Sequence, residues 1–251
     1  MITATATHKP PMDFTRRATL AAGLFYIGTF VFSIPALFLY KGVLDDPSWV
    51  LGVGSDKGVL WGGLIEMLTA LTCIGTAVAL YPVIKRHGPG RAIGFVASRT
   101  LEAATIVVGV LAVLSVCTLR QDLGGTDPTV LTTTARALVA IKDWSFLMGP
   151  GVMPAINALC FATIMYQSRR VPRWIPTLGI IGIPMLLVSS TATLFGGWEQ
   201  TSNIAMLLAL PIGAWELSVG IYMAVKGFRP APGTAPDYVV EPASRGELVN
   251  A

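Results

Sequence analysis

Four ionisable residues lie inside long apolar runs, where charge is costly. Glu66 is the one charge in the run about 58–83, Arg99 and Glu102 share the run about 92–119, and Glu216 sits in the run about 203–226. A charge at the centre of a bilayer costs about 2.5–3.5 kcal/mol on insertion scales, so such residues face a bundle interior and find partners there. Buried carboxylates and a guanidinium can bind a small polar solute or ion, relay a proton, or lock helices together as ion pairs. A glutamic acid in a dry cavity can also act as an acid toward an apolar substrate. Trp215, beside Glu216, can then steady a developing cation with its π face.

The neighbours of each glutamate point inward too. Gly62, Glu66, Thr69, Cys73 and Thr76 follow a spacing of three to four residues and so share one helical face. Gly94, Ser98, Glu102, Thr105 and Gly109 do the same, with Arg99 beside that face, and so do Ala209, Gly213, Glu216, Gly220 and Ala224. Small and weakly polar residues let helices approach closely and offer hydrogen bonds. Three such stripes, each centred on a glutamate, predict one shared interior. Arg99 and Glu102 stand three residues apart and can pair within their helix. Three carboxylates against one cation call for a proton or a further cation. Lys142 supplies the latter if its segment dips inward, in which case Asp143 or Trp144 caps the site.

The elements that must position these residues are membrane helices. The chain is 53% hydrophobic and 13% charged, about half the charge of a soluble domain. Its formal net charge of +4 sits in short basic clusters at the ends of apolar runs rather than in a groove or stripe, which excludes nucleic-acid binding. Cys73, Cys117 and Cys160 are far apart and lie mostly within apolar runs, so they read as small hydrophobes and not as a redox or disulfide framework. His8 and His87 both lie outside the runs. No metal site and no cofactor is expected.

Six spans are predicted, at about 19–40, 58–83, 92–119, 145–167, 174–196 and 203–226, each near the length that crosses about 30 Å of hydrocarbon. The fold class is therefore an all-α six-transmembrane-helix bundle over 19–228. A polar segment 1–18 precedes it, and a proline-rich tail, 229–251, is expected to be disordered. The first run is too long for the core of a signal peptide and reads as a retained anchor. Pro150 and Pro154 should interrupt the fourth span, with a short outer helix reaching about Leu147.

Lysine and arginine set the orientation. The side holding both termini carries Lys9, Arg16, Arg17, Lys85, Arg86, Arg91, Arg169, Arg170, Arg173, Lys226, Arg229 and Arg245, and the other side carries Lys41, Lys57, Arg120 and Arg136. Both termini are thus expected to be cytoplasmic. Trp49, Trp61, Trp144 and Trp198 fall near the outer boundary, and Tyr81, Tyr166 and Trp174 near the inner one, as interfacial belts do. Arg169, Arg170, Arg173 and Trp174, in the loop SRRVPRW, are placed to contact anionic headgroups.

Read in order, FYIGTFVFSIPALFLY, LDDPSWV, LIEMLTALTCIGTAVALYPVIKRH, GFVASRTLEAATIVVGVL, DWSFLMGPG, SRRVPRWIPTLGIIG and PIGAWELSVGIYMAVKGF resemble a bacterial membrane family, domain of unknown function 4386. The resemblance covers nearly the whole chain apart from its first residues and its tail. It implies an integral protein of the bacterial plasma (inner) membrane. It singles out Glu66, Arg99, Glu102, Asp143, Trp144, Arg173, Trp174, Trp215 and Glu216, and it transfers no mechanism.

Three functions fit these residues. The first is binding or translocation of a small solute, ion or proton at the glutamate and arginine cluster. The second is an embedded acid-type enzyme acting on an isoprenoid or other lipid. The third is a non-catalytic subunit or regulator in which the charges serve packing. The lipid bilayer is the expected partner, with a small-molecule, ion or lipid ligand in the first two cases.

Overall fold

The computed structural model describes residues 12–52, 55–121 and 125–230. Most of the polar leader and the tail from residue 231 onward, including its expected disorder, lie outside the described residues.

The described chain forms seven helices: α1 Phe14–Asp45, α2 Lys57–Ile84, α3 Pro89–Gln121, α4 Pro128–Met148, α5 Met153–Ser168, α6 Trp174–Leu194 and α7 Asn203–Val225. A 3₁₀ turn, Pro47–Leu51, follows α1. Six segments are long and apolar enough to cross a membrane, with α4 and α5 together forming one of them. Large apolar side chains such as Phe38, Leu71, Val78, Leu111, Leu159, Val188 and Leu207 point outward. In water that surface would be a liability; in lipid it is the ordinary exterior.

Chain-adjacent helices pack side by side, α1 on α2, α2 on α3, α3 on α4 and α5, α5 on α6, α6 on α7. The ring closes where α7 returns to α1. That last joint is very tight. A Cβ on Gly23 would stand 2.6 Å from the Gly220 carbonyl oxygen and 2.9 Å from the Ala224 Cα. Arg16 then holds the end of α7, donating to the carbonyls of Met223 (2.8 Å), Ala224 (2.7 Å) and Val225 (3.1 Å). Those carbonyls end a helix and lack successors to bond. Both ends of the bundle therefore lie on one side.

Three apolar clusters fill the ring. The larger one near the chain ends includes Tyr26, Leu80, Phe95, Phe161, Ile175, Trp215 and Met223. A smaller one at the opposite end includes Tyr40, Val50, Val59, Val116 and Leu131, and a third, of Ala70, Cys73, Ala103, Ile106 and Val110, joins α2 to α3. Beside the cluster at the opposite end, Arg120 pairs with Asp56 at 3.3 Å and lies 4.0 Å over the Trp49 ring.

Local chemistry accounts for the helix ends. The Asp127 carboxylate accepts from the Thr129 amide at 2.7 Å, with Pro128 opening α4. Ser202 accepts from the Ala205 amide at the start of α7; both are ordinary N-caps. α1 begins at Phe14, ahead of the expected 19, and runs to Asp45, beyond the expected 40. Hydropathy marks the hydrocarbon layer, whereas backbone hydrogen bonding continues through arginines that favour a helix. The expected fourth span, 145–167, is two helices. α4 ends at Met148, the chain crosses 149–152, and α5 restarts with Pro154 in its first turn, where a proline costs no hydrogen bond.

Candidate functional site

Between the apolar clusters at the two ends lie two groups of buried ionic side chains. In the first, Arg99 is fully buried, with Nη1 2.9 Å from Glu102 Oε2 on its own helix and 3.4 Å from Glu216 Oε1 on α7. Asn157 of α5 donates to Glu102 Oε2 at 2.7 Å, and its own carbonyl oxygen accepts from Ser98 at 2.6 Å. The Arg99 guanidinium lies 4.8 Å over the ring of Tyr26. Three helices, α1, α3 and α7, thus meet at one guanidinium, and α5 joins them through Glu102.

In the second group Lys142 of α4 donates to Glu66 Oε1 of α2, and its ammonium lies 5.2 Å over the Tyr40 ring. Gly109 makes this reach possible. A Cβ there would stand 2.9 Å from Lys142 Cδ and 2.6 Å from Ser145 Oγ, so a larger residue would displace the Lys142 and Ser145 side chains. Glu66 is 7% exposed, yet its Oε2 has no hydrogen-bond partner among the described residues. The Tyr40 hydroxyl and Arg99 Nε and Nη2 are in the same position. Buried polar groups left in this way are uncommon and costly.

The two groups face a common cavity of about 170 Å³. Glu66, Glu102 and Glu216 all line it, with Thr29, Ser33 and Thr69 as further polar contacts. Phe146, Pro150 and Pro154, from the α4–α5 break, form another wall. A second, larger cavity of about 370 Å³ abuts the first and shares Leu37, Phe146 and Pro150 with it. The break itself is held by Ser190 of α6, which donates to the Gly151 carbonyl at 2.6 Å.

Of the residues singled out by sequence, Glu66, Arg99, Glu102 and Glu216 come together. Asp143 is exposed but lines the larger cavity. Trp144 does not join the site. It is 52% exposed on the outward face of α4, because residues 142 and 144 of a helix point in different directions. Trp215 lines neither cavity; it is buried in the larger apolar cluster, 5.6 Å from Phe161 and against Gly179. Around Arg169, which takes a left-handed φ of 54°, the loop to α6 sets Arg173 over Tyr166 and leaves Trp174 60% exposed. Burial, and to a lesser extent nearby Arg86, push the Arg170 guanidinium below its ordinary pKa. Asn157, Tyr26 and Tyr40 were missed. Asn157 is an amide inside an apolar run, and that alone was a usable signal.

A closed ring of six apolar crossings around a set of buried ions defines a multi-pass membrane protein. The chain belongs to the family described as Domain of unknown function (DUF4386), whose model matches residues 21–227. Comparison with curated proteins and with solved structures returns no match.

Proposed function

We propose that the protein binds a small solute, ion or proton at the cluster of Glu66, Arg99, Glu102 and Glu216, and passes it across the membrane. The observation that carries this reading is the cavity lined by three carboxylates, one of which, Glu66, has a buried oxygen without a hydrogen-bond partner among the described residues. With Arg99 and Lys142 as the cations, the ionised cluster holds one negative charge in excess. A proton or a small cation balances it, which favours those occupants over an anion.

The α4–α5 break adds support. Irregular backbone at membrane depth is tolerated where it lines a cavity, and interrupted helices frame the sites of many transporters. Orientation with both termini in the cytoplasm of a bacterial cell, and contact of Arg169, Arg170, Arg173 and Trp174 with anionic headgroups, complete the proposal.

The test is flux in liposomes of neutral lipid containing the full chain. A pH gradient is imposed, and its decay is followed with an entrapped dye, with and without external methylammonium. The parent chain is expected to dissipate the gradient or accumulate methylammonium, and Glu216→Gln and Glu102→Gln to reduce the rate at least tenfold. Rates equal to those of empty liposomes, or unchanged in both folded variants, would remove the reading.

A further inference from the structure

We propose that the occupant is a lipophilic cation, which enters sideways from the half of the bilayer opposite the chain ends. This rests on the proposed function and names the substrate class of the same site. Three observations carry it.

The first is the route. The larger cavity meets the carboxylate cavity at Leu37, Phe146 and Pro150. Two of its lining residues, Leu37 and Met206, are 47% and 57% exposed on the lipid-facing surface, so it opens toward the acyl chains. The joints that fasten α1 to α7, at Arg16, Gly23 and Tyr26, lie in the half near the chain ends. In the other half the side chains of Leu37, Ala205, Met206 and Ala209 border the larger cavity instead.

The second is the lining. Leu186, Ala205, Met206 and Ala209 offer an apolar wall, Gln200 and Thr201 sit at the end near the membrane boundary, and the two charged residues of the lining, Lys142 and Asp143, are of opposite sign, with Lys142 already paired to Glu66. A bare hydrated ion would have to shed its water along that wall with little in return. An apolar body would gain by the same contacts.

The third is the charge at the inner end. Three carboxylates against two cations leave one negative charge. An anion would be repelled, and a neutral lipid would leave that charge to be balanced by a proton alone. An organic cation with an apolar body satisfies the wall and the cluster together, and the faces of aromatic rings near the path, such as Phe30 and Phe146, suit such a cation.

The experiment uses the full chain in phosphatidylcholine nanodiscs. Binding of radiolabelled tetraphenylphosphonium is measured, with triphenylphosphine oxide as the neutral competitor of similar shape. Saturable binding is expected, insensitive to the oxide. It should weaken at least tenfold in Glu216→Gln, and likewise in Ala209→Trp, which fills the larger cavity away from the carboxylates. Thermal melting establishes that each variant is folded; where Glu216→Gln is not, Glu66→Gln carries the charge arm. Absent tetraphenylphosphonium binding with methylammonium flux intact overturns the lipophilic class and leaves the proposed function standing. Absence of both removes the two together. Full-strength binding in folded Ala209→Trp overturns the lateral route.

Discussion

Lys142 reaches Glu66 across a face of α3 that Gly109 leaves bare. Removing one partner of a buried ion pair strands the other, at about 3–5 kcal/mol, whereas replacing both with apolar groups is often neutral. Lys142→Met is therefore expected to destabilise the protein by that amount, and Lys142→Met combined with Glu66→Met to recover most of it, measured by reversible unfolding in mixed detergent. A single variant as stable as the parent would contradict the pairing. At this scale the sequence was informative where a charge interrupts an apolar run, which is why Glu66, Arg99, Glu102 and Glu216 were legible. Lys142 was ambiguous, because its segment looked like a boundary and nothing in the pattern tells how far α4 descends along α3. Trp144 shows the opposite error: adjacency to a site residue on a helix places a side chain away from the site.

Between helices, the close approaches are fixed by glycine. Gly23→Ala would set a methyl group against the backbone of α7, and overpacking of this kind costs about 1–3 kcal/mol. The same change at Gly213, which has nothing within 4 Å of its would-be Cβ, is expected to be neutral or stabilising, since alanine favours a helix. Comparing the two melting temperatures checks the tightness of the α1–α7 joint. The turn after α1 offers a titration. The Ser48 hydroxyl and amide donate to Asp46 at 2.7 and 2.8 Å, and these bonds hold the Asp46 carboxyl below the usual range. A depressed value in the folded state makes the contribution complete above about pH 4, the unfolded value, and lost as the pH falls below it. The melting temperature of the parent should thus exceed that of Asp46→Asn at pH 7, by a margin that shrinks at pH 3.5. A constant margin would contradict the assignment. Helix identity was readable from hydropathy, and Pro150 with Pro154 announced the interruption. The extent of α1 and of α4 was not, because polar residues beyond the hydrocarbon can continue a helix without leaving a hydropathy signal.

For the whole molecule, we propose from the bias of basic residues that the end bearing Arg16, Arg169 and Lys226 faces the cytoplasm. A single cysteine placed at Arg169, in a chain with Cys73, Cys117 and Cys160 replaced, is expected to react with an impermeant maleimide only after the cells are opened. A cysteine at Gly197 should react in intact cells. The reverse pattern would invert the orientation and leave the fold untouched. Six crossings were countable from the sequence, but their circular order was not, since hydropathy says nothing about which lipid-facing rods become neighbours.

The grip of Arg16 on the last carbonyls of α7 joins residues more than two hundred positions apart. Synthesis delivers the first helix long before the one that completes its seam. Until then, Arg16 and the bare backbone of Gly23 face lipid or a chaperone, and Arg99 lacks its second carboxylate. A chain stopped ahead of residue 203 is thus left with an unsealed wall, so the final stretch to be translated decides whether the earlier ones settle into a finished protein or are cleared.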